Sequence, residues 1–396
     1  MTDKISYLIT NLPQGWKVKT IEEVCKNSSS NLALKDIKDK NGQYPVFGAS
    51  GIVGYVDFYH KDKECLGIVK DGAGVGRVFV LPKNTSVIGT LNYLEALENT
   101  NLKYLFYFLY SVDFSKYILG SAIPHIYFRD YKKEQIPLPP LQEQERIVGI
   151  LDESFAKIDE SIKILEQDLL NLDELMQSAL QKAFNPLKDN AKENYKLPQG
   201  WEWKSLGEVC FITDGTHKTP NYIKTGIPFL SVKNISKGFF DLSDIKYISL
   251  EEHNKLIKRA KPEFGDILIC RIGTLGKAIK ISLDFEFSIF VSLGLLKPKV
   301  KIISDYLVYF LNSYFIERWI DNNKVGGGTH TAKLNLNILE KCPIALPPLK
   351  EQEQIALYLD ELSSHVKNLK QNYQMQIKNL QELKKSLLDK AFQGRL

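Results

Sequence analysis

Apolar residues follow two rhythms along this chain, and each rhythm occurs twice. Between residues 43 and 81, short β-branched and aromatic runs (Gln43–Gly48, Gly51–Val56, Cys65–Lys70, Arg77–Leu81) are bounded by Gly, Pro, Asn and Asp, which predicts strands joined by turns. Pro228–Val232, Asp266–Cys270 and Ala278–Ile281 repeat the pattern. Tyr104–Leu109 and Tyr306–Leu311 lie in longer apolar stretches without turn residues and predict buried helices. From Leu141 the period changes. Leu151, Phe155, Ile158, Ile162, Leu165, Leu169, Leu172, Met176, Ala179 and Ala183 alternate in steps of four and three, an a/d heptad seam. Leu359, Val366, Tyr373, Ile377, Leu380, Leu387 and Ala391 form a second seam, with polar breaks at Ser363, Lys370 and Lys384. The chain is therefore α+β: two globular parts, each followed by a helix of about 44 residues, roughly 65 Å long.

Words repeat as well as rhythms. Leu12-Pro13-Gln14-Gly15-Trp16 returns as Leu197-Pro198-Gln199-Gly200-Trp201, and Leu138-Pro139-Pro140-Leu141 returns as Leu346-Pro347-Pro348-Leu349. A period of about 200 residues is a domain with its connector, not a solenoid unit. The division expected is a first globular domain at 1–138, a spacer helix at 139–186, a linker at 187–196, a second globular domain at 197–345 and a second helix at 346–396. Pro140 and Pro348 suit the first helical position, where a missing N–H costs nothing. Glu143, Glu145, Glu351 and Glu353 then face the positive end of the helix dipole. Asn185-Pro186 is expected to stop the first helix and Gly394 to cap the second. A lone helix of this length with one apolar stripe needs a partner, and the other copy is the simplest. Antiparallel pairing would set Ile162, Leu165, Leu169 and Leu172 against Tyr373, Ile377 and Leu380, with the globular domains at opposite ends of a rod about a pseudo-two-fold axis.

Composition narrows the class only a little. The 396 residues hold 52 Lys plus Arg against 47 Asp plus Glu, and a formal charge of +5 permits nucleic-acid binding without arguing for it. Five widely spaced cysteines with no CxxC suit buried reduced thiols rather than disulfides or zinc. No signal peptide opens the chain, and its longest apolar runs are far below the ~18 residues of a membrane span, so a soluble cytoplasmic protein is expected.

The order LPxGW, globular part, LPPLxEQExI and long helix, given twice, resembles the DNA-specificity (HsdS) subunit of type I restriction-modification systems. The matching residues are Leu138–Ile147 and Leu346–Ile355, with similar helix ends at Lys182–Phe184 and Lys390–Gly394. The resemblance implies an adaptor that is not itself an enzyme. Each target-recognition domain would bind one half of a bipartite, asymmetric site in double-stranded DNA. The helical pair would be a ruler and a docking surface for two modification subunits, which carry S-adenosylmethionine and methylate adenine. A restriction subunit using ATP and Mg would join them; this chain itself would hold no cofactor and no metal. The loop Asp214–Pro220 followed by Gly226–Leu230 looks like a recurring pattern of such recognition domains. The first half has Ser28-Ser29-Ser30 and Gly48-Ala49-Ser50-Gly51 in that region, so the halves are expected to read different bases.

Candidate DNA contacts gather in the turns. Gly72–Arg77 is followed by a strand-like run, so it is a tight β-turn rather than a dinucleotide fingerprint, with Lys70 and Arg77 placed to touch phosphate. Arg271–Lys277 carries Gly-Lys but lacks the upstream glycine of a P-loop; backbone or base contacts by Arg271 and Lys277 are the open reading. His125, His217 and His330 show no metal-ligand spacing, which leaves loop hydrogen bonding and DNA contact both open. Ser50, Ser121, Thr216, Lys218, Thr219, Lys233, Thr329 and Lys333 complete the set. No methyltransferase, ATPase or nuclease motif is legible. The alternative is a coiled-coil scaffold that binds no DNA and carries two protein-interaction heads.

Overall fold

In a computed structural model, residues 12–38, 41–120, 122–184, 197–326 and 332–396 are described. Asn185-Pro186 and the linker at 187–196 lie outside them, as do Ser121, Thr329 and His330. The chain forms two compact units, Met1–Glu166 with Gln374–Leu396, and Gln167–Tyr373, so each long helix is shared between them.

The globular part of the first unit contains β1 (Lys17–Thr20), α1 (Ile21–Val24), β2 (Cys25–Ser29), β3 (Tyr44–Gly48), β4 (Gly51–Val56), β5 (Cys65–Val69), β6 (Val78–Leu81), β7 (Ser86–Val87), β8 (Leu91–Ala96), α2 (Leu102–Ser111), α3 (Phe128–Tyr131) and β9 (Gln135–Leu138). The long helix α4 (Leu141–Ala183) follows. The second copy contains β10 (Glu202–Ser205), α5 (Leu206–Val209), β11 (Cys210–Asp214), β12 (Ile227–Leu230), β13 (Lys246–Ile248), α6 (Leu250–Leu256), β14 (Ile267–Cys270), β15 (Ala278–Lys280), β16 (Ser288–Ile289), β17 (Leu293–Pro298), α7 (Ser304–Leu311), α8 (Tyr314–Asn323), α9 (Leu336–Leu339) and β18 (Pro343–Leu346). The helix α10 (Leu349–Phe392) closes it.

The strand orders coincide. Sheet β2-β8-β5-β6 in one copy is β11-β17-β14-β15 in the other, β4-β3-β7 is β13-β12-β16, and the pair β1-β9 is β10-β18. The aromatic helices predicted from YLFYFL and YLVYFL are α2 and α7, seated alike. Tyr104 OH donates to Pro137 O and Tyr306 OH to Ala345 O, both at 2.6 Å. Tyr107 and Tyr309 donate to Asp152 and Asp360 on the long helices.

The LPPLxEQ segment joins each globular part to its helix by a buried amide. Gln144 Nε2 donates to Asn99 O and Pro139 O, and its Oε1 accepts from Asn101 N. Gln352 Nε2 donates to Pro347 O and its Oε1 accepts from Ile303 N. Gln352→Ala strands one buried and one part-buried backbone group and should cost about 1–3 kcal/mol, read as a lower urea midpoint with an unchanged slope. The prolines of this motif stand one place earlier than expected. Gln144 N donates to Pro140 O and Gln352 N to Pro348 O, so each proline is the cap residue rather than the first helical residue.

The helices run antiparallel in each unit. Lys384 pairs with Asp159 in the first unit and Lys370 with Asp173 in the second. These lysines were the expected breaks in the seam; Lys384 lays its ammonium 4.7 Å from the Phe155 ring centre before reaching its carboxylate. Ser363 is exposed, and Leu362 packs in its place. Leu151, Ile158, Leu172, Leu359 and Val366 are buried, whereas Ile162, Leu165, Leu169, Tyr373, Ile377, Leu380 and Leu387 are half-buried. The reason is that the helix ends pack on the globular cores as well as on each other. Ile147, Leu151, Phe155, Leu388, Ala391 and Phe392 join the core around Tyr104 and Phe108. Ala179, Phe184, Ala356 and Leu359 join the core around Tyr306 and Phe310.

Gly394 caps α10 as expected. It has φ +64°, and Arg395 N donates to Lys390 O at 2.9 Å. A Cβ there would lie 2.4 Å from Pro13 Cγ, so the cap is also held by close packing. All five cysteines are buried and unpaired, and burial pushes their thiols up to about 12. Among the described residues no helix is long and apolar enough to cross a membrane.

Candidate nucleic-acid interface

Each copy presents one hairpin turn against one returning segment. In the first, Gly76 N donates to Val69 O and Val69 N to Arg77 O, both 2.9 Å, closing the turn between β5 and β6. In the second, Gly276 N donates to Cys270 O and Cys270 N to Lys277 O, both 2.9 Å, between β14 and β15. The segment after the aromatic helix comes back along this turn. Ile126 N donates to Lys70 O and Leu334 N to Arg271 O, while Asp71 bridges His125 and Ile272 bridges Lys333. The equivalent pairs are therefore Lys70 and Arg271, Arg77 and Lys277, and His125 and Lys333. One backbone scaffold carries different side chains in the two halves.

In the second half the scaffold is organised by Asp214, the last residue of β11, which is 1% exposed. Its carboxylate takes Arg271 Nη1 and His217 Nε2 on one oxygen and Arg259 Nη2 on the other, and its backbone oxygen accepts from Arg259 Nε at 3.2 Å. Burial alone would raise this carboxyl, but Arg259 and Arg271 outweigh it and hold it below the usual carboxylate range. Arg271 reaches Asp214 across Gly294, which pairs with Asp214 in the neighbouring strand. A Cβ at Gly294 would lie 3.1 Å from Arg271 Cδ and 2.9 Å from Ile269 Cγ2, so a side chain there would obstruct the path. Above the carboxylate lies an open cleft of about 390 Å³ lined by Thr216, His217, Lys218, Lys255, Leu256 and Arg259.

The first half has no such acid. By strand register Ser29 stands where Asp214 does, and Asn92 where Gly294 does. Asn92 Oδ1 is buried without a hydrogen-bond partner among the described residues. Lys70 pairs instead with its neighbour Asp71. Arg77 Nη1 donates to Ala49 O at 2.9 Å, which ties the hairpin turn to the β3–β4 turn beside exposed Ser50. The His125 ring lies edge-on to Tyr127 at 5.0 Å, and the Arg129 guanidinium sits 4.5 Å from the Tyr127 ring centre.

The structure thus brings Ser50, Lys70, Arg77 and His125 into one loop cluster, and Thr216, His217 and Lys218 into one cleft, with Thr219 exposed beside it. Lys233 and Lys333 are exposed on the turns that flank Arg271–Lys277. Arg271 is a correction. It is 8% exposed, and its guanidinium is spent on Asp214, Leu334 O and Val291 O, so it holds the loops together and presents nothing to a ligand. Lys277 departs from its group too. It lines a groove with Phe239, Tyr309, Asn312 and Asp360 rather than the cleft. The sequence places Asp214 in a recognition-loop pattern without giving it a role, and it leaves Lys255 and Arg259 unmarked. A signal existed for the last two: Ser249 is a cap residue for a short helix, Lys255 lies in the last turn of α6, and Arg259 follows four residues on, in the turn beyond it. The stretch between β4 and β5 in the first half contains no counterpart of α6.

A family described as the type I restriction modification DNA specificity domain matches residues 13–169 and 198–379, most of the chain and both copies. The chain belongs to that specificity family. Its relatives in this family include the type I restriction enzyme EcoBI specificity subunit of Escherichia coli, 27% identical over 295 residues. That match covers 69% of this chain and 61% of the EcoBI subunit, so the chain spans less than two thirds of that relative's length. A putative type I restriction enzyme specificity subunit of Haemophilus influenzae, S.HindORF215P, is 26% identical over 92% of both chains. The specificity-family fold is also that of the HsdS subunit of Thermoanaerobacter tengcongensis, at a TM-score of 0.58, 22% identity and coverage of 97% and 98%. A chain from a structure of complex assembly and conformational transition in a type I system is more similar in shape, with a TM-score of 0.76, 22% identity and coverage of 97% and 99%.

Proposed function

We propose that this chain is the DNA-reading, non-catalytic subunit of a cytoplasmic type I restriction-modification complex, and that each loop cluster reads one half of a bipartite, asymmetric site. The observation that carries the reading is the duplicated scaffold with unlike side chains: His125 with Tyr127 and Arg129 in one copy, and His217, Lys218, Lys255 and Arg259 in the other. Identical heads would suit a palindrome; unlike heads suit two different half-sites. Loops on a rigid sheet are where base-edge contacts are made, while their lysines and arginines meet phosphate. Two modification subunits supply S-adenosylmethionine and methylate adenine, and restriction subunits supply ATP- and Mg-dependent cleavage. The helical pair gives those subunits a docking face and sets the length of unread DNA between the half-sites. The scaffold alternative has no observation in its favour, since a DNA specificity family covers both copies.

The test exchanges residues 1–138 for the matching part of another family member and maps methylated sites in cells that also express the modification subunits. One half of the methylated motif should change and the other half stay as it was. A motif that changed in both halves together would defeat the two-reader scheme.

A further inference from the structure

We infer that Arg259, braced by Asp214, reads a guanine in the second half-site; this rests on the DNA-reading function proposed above. A guanidinium offers two forks of paired donors. The side fork is Nε–H with one N–H of Nη2, and the end fork is Nη1 with the other N–H of Nη2. Asp214 occupies the side fork completely: its backbone oxygen accepts from Nε at 3.2 Å and its Oδ1 accepts from Nη2. The end fork is left over. Among the described residues no partner takes Nη1, and the Arg259 side chain is 55% exposed in the wall of the cleft. An arginine fixed along one edge and free at the other presents two parallel donors in a set direction.

Two parallel donors match two adjacent acceptors. In the DNA major groove the O6 and N7 atoms of guanine are such a pair, and adenine places a donor where guanine has O6. A phosphate matches the same fork, but a contact with it carries no base preference. The charge of Arg259 is shared with the carboxylate it rests on, and Arg271 draws on the same carboxylate. Lys218 and Lys255 line the same cleft and offer phosphate point charges on flexible stems, which leaves the directed fork of Arg259 for a base edge. Asp214 is then a positioning residue. It touches no DNA; it removes the rotational freedom that an exposed arginine would otherwise lose on binding. The first half has Ser29 at the equivalent position and no α6, so this device belongs to one half-site only.

The experiment maps methylated motifs genome-wide for the full chain expressed with its modification subunits, as wild type, Arg259→Lys, Arg259→Ala and Asp214→Asn. Arg259→Lys keeps the charge and loses the fork. Both Arg259 variants should lose on the order of 10- to 100-fold discrimination at a single G·C position of the second half-site, with every other position retained. Asp214→Asn keeps the shape and should relax that same position by less. Melting curves identify an Asp214→Asn chain that fails to fold, and the half-exposed Arg259 variants carry the test without it. A parental motif in Arg259→Lys, or methylation that weakens uniformly with no base relaxed, overturns the guanine assignment and leaves DNA reading intact. A wild-type chain that directs no methylated motif overturns the DNA-reading function and this inference together.

Discussion

Asp214→Ala is expected to lower the stability of the second unit by about 3–5 kcal/mol, because it leaves the Arg271 guanidinium buried without its counter-charge. The penalty comes from what remains rather than from what is removed. Leu334 O and Val291 O still accept from Arg271, but they are neutral and cannot replace a carboxylate. The same substitution frees Arg259 and His217 at the cleft. Chemical unfolding followed by tryptophan fluorescence checks the figure, and a loss under about 1 kcal/mol would show that water reaches and screens the pair. Replacing both members by apolar residues, Asp214→Leu with Arg271→Met, should recover much of the loss, since desolvating an ion pair consumes most of its attraction. The wild-type pair also makes a pH signature. The Asp214 pKa is depressed in the folded state, so its contribution is fully present above the unfolded carboxyl value of about 4. It is lost as pH falls from there through the lower folded value. Above that window this residue contributes no pH dependence.

Phe392→Ala and Phe184→Ala should each cost about 3–5 kcal/mol, in different units. Phe392, near the C-terminus of α10, sets its ring edge-on to Tyr104 and Phe108, both at 5.4 Å. Phe184, just beyond α4, sets its ring against Phe310 at 5.3 Å and Tyr306 at 5.8 Å. Each long helix thus leaves the globular part that precedes it in the chain and ends by plugging a phenylalanine into the core of the other copy. Truncation to Ala removes the ring and the edge-to-face contacts at once. The residues belong to separate compact units and share no partner, so the double variant should show the sum of the single losses to within about 0.5 kcal/mol. A double variant much less unstable than that sum would mean that the two sites are energetically coupled.

Periodicity made most of the architecture legible. The strands from Tyr44 to Leu81, the helices over Tyr104 and Tyr306, and the two long helices were all readable because burial on one face imposes period 2 or 3.6 on local sequence. The repeated LPPLxEQ marked the helix starts, yet its meaning was not readable. Gln144 and Gln352 look like solvated helix residues until their partners at Asn99, Asn101 and Ile303 are brought to them. The same limit hid the cleft. Asp214 meets Arg259 and Arg271 across 45 and 57 residues of chain, through a passage kept open by Gly294, and no local pattern encodes that meeting. Arg271 stands beside a glycine turn, and that local pattern marks loop cations without telling a presented one from a buried one. His125 and Lys333 occupy equivalent positions in the two halves.

The uneven burial of the helix pair has a dynamic consequence. Near Leu151 and Phe155, or Ala356 and Leu359, a backbone amide opens to solvent only if a globular core opens with it. Around Ile162 to Leu169 and Tyr373 to Leu380 the seam side chains are only half-buried, and no residue there joins a globular core. Opening free energy follows the contacts that must be broken, so proton exchange along one continuous helix runs slow, then fast, then slow. The softest turns of both helices are then the central ones, away from the ends that pack into the globular cores.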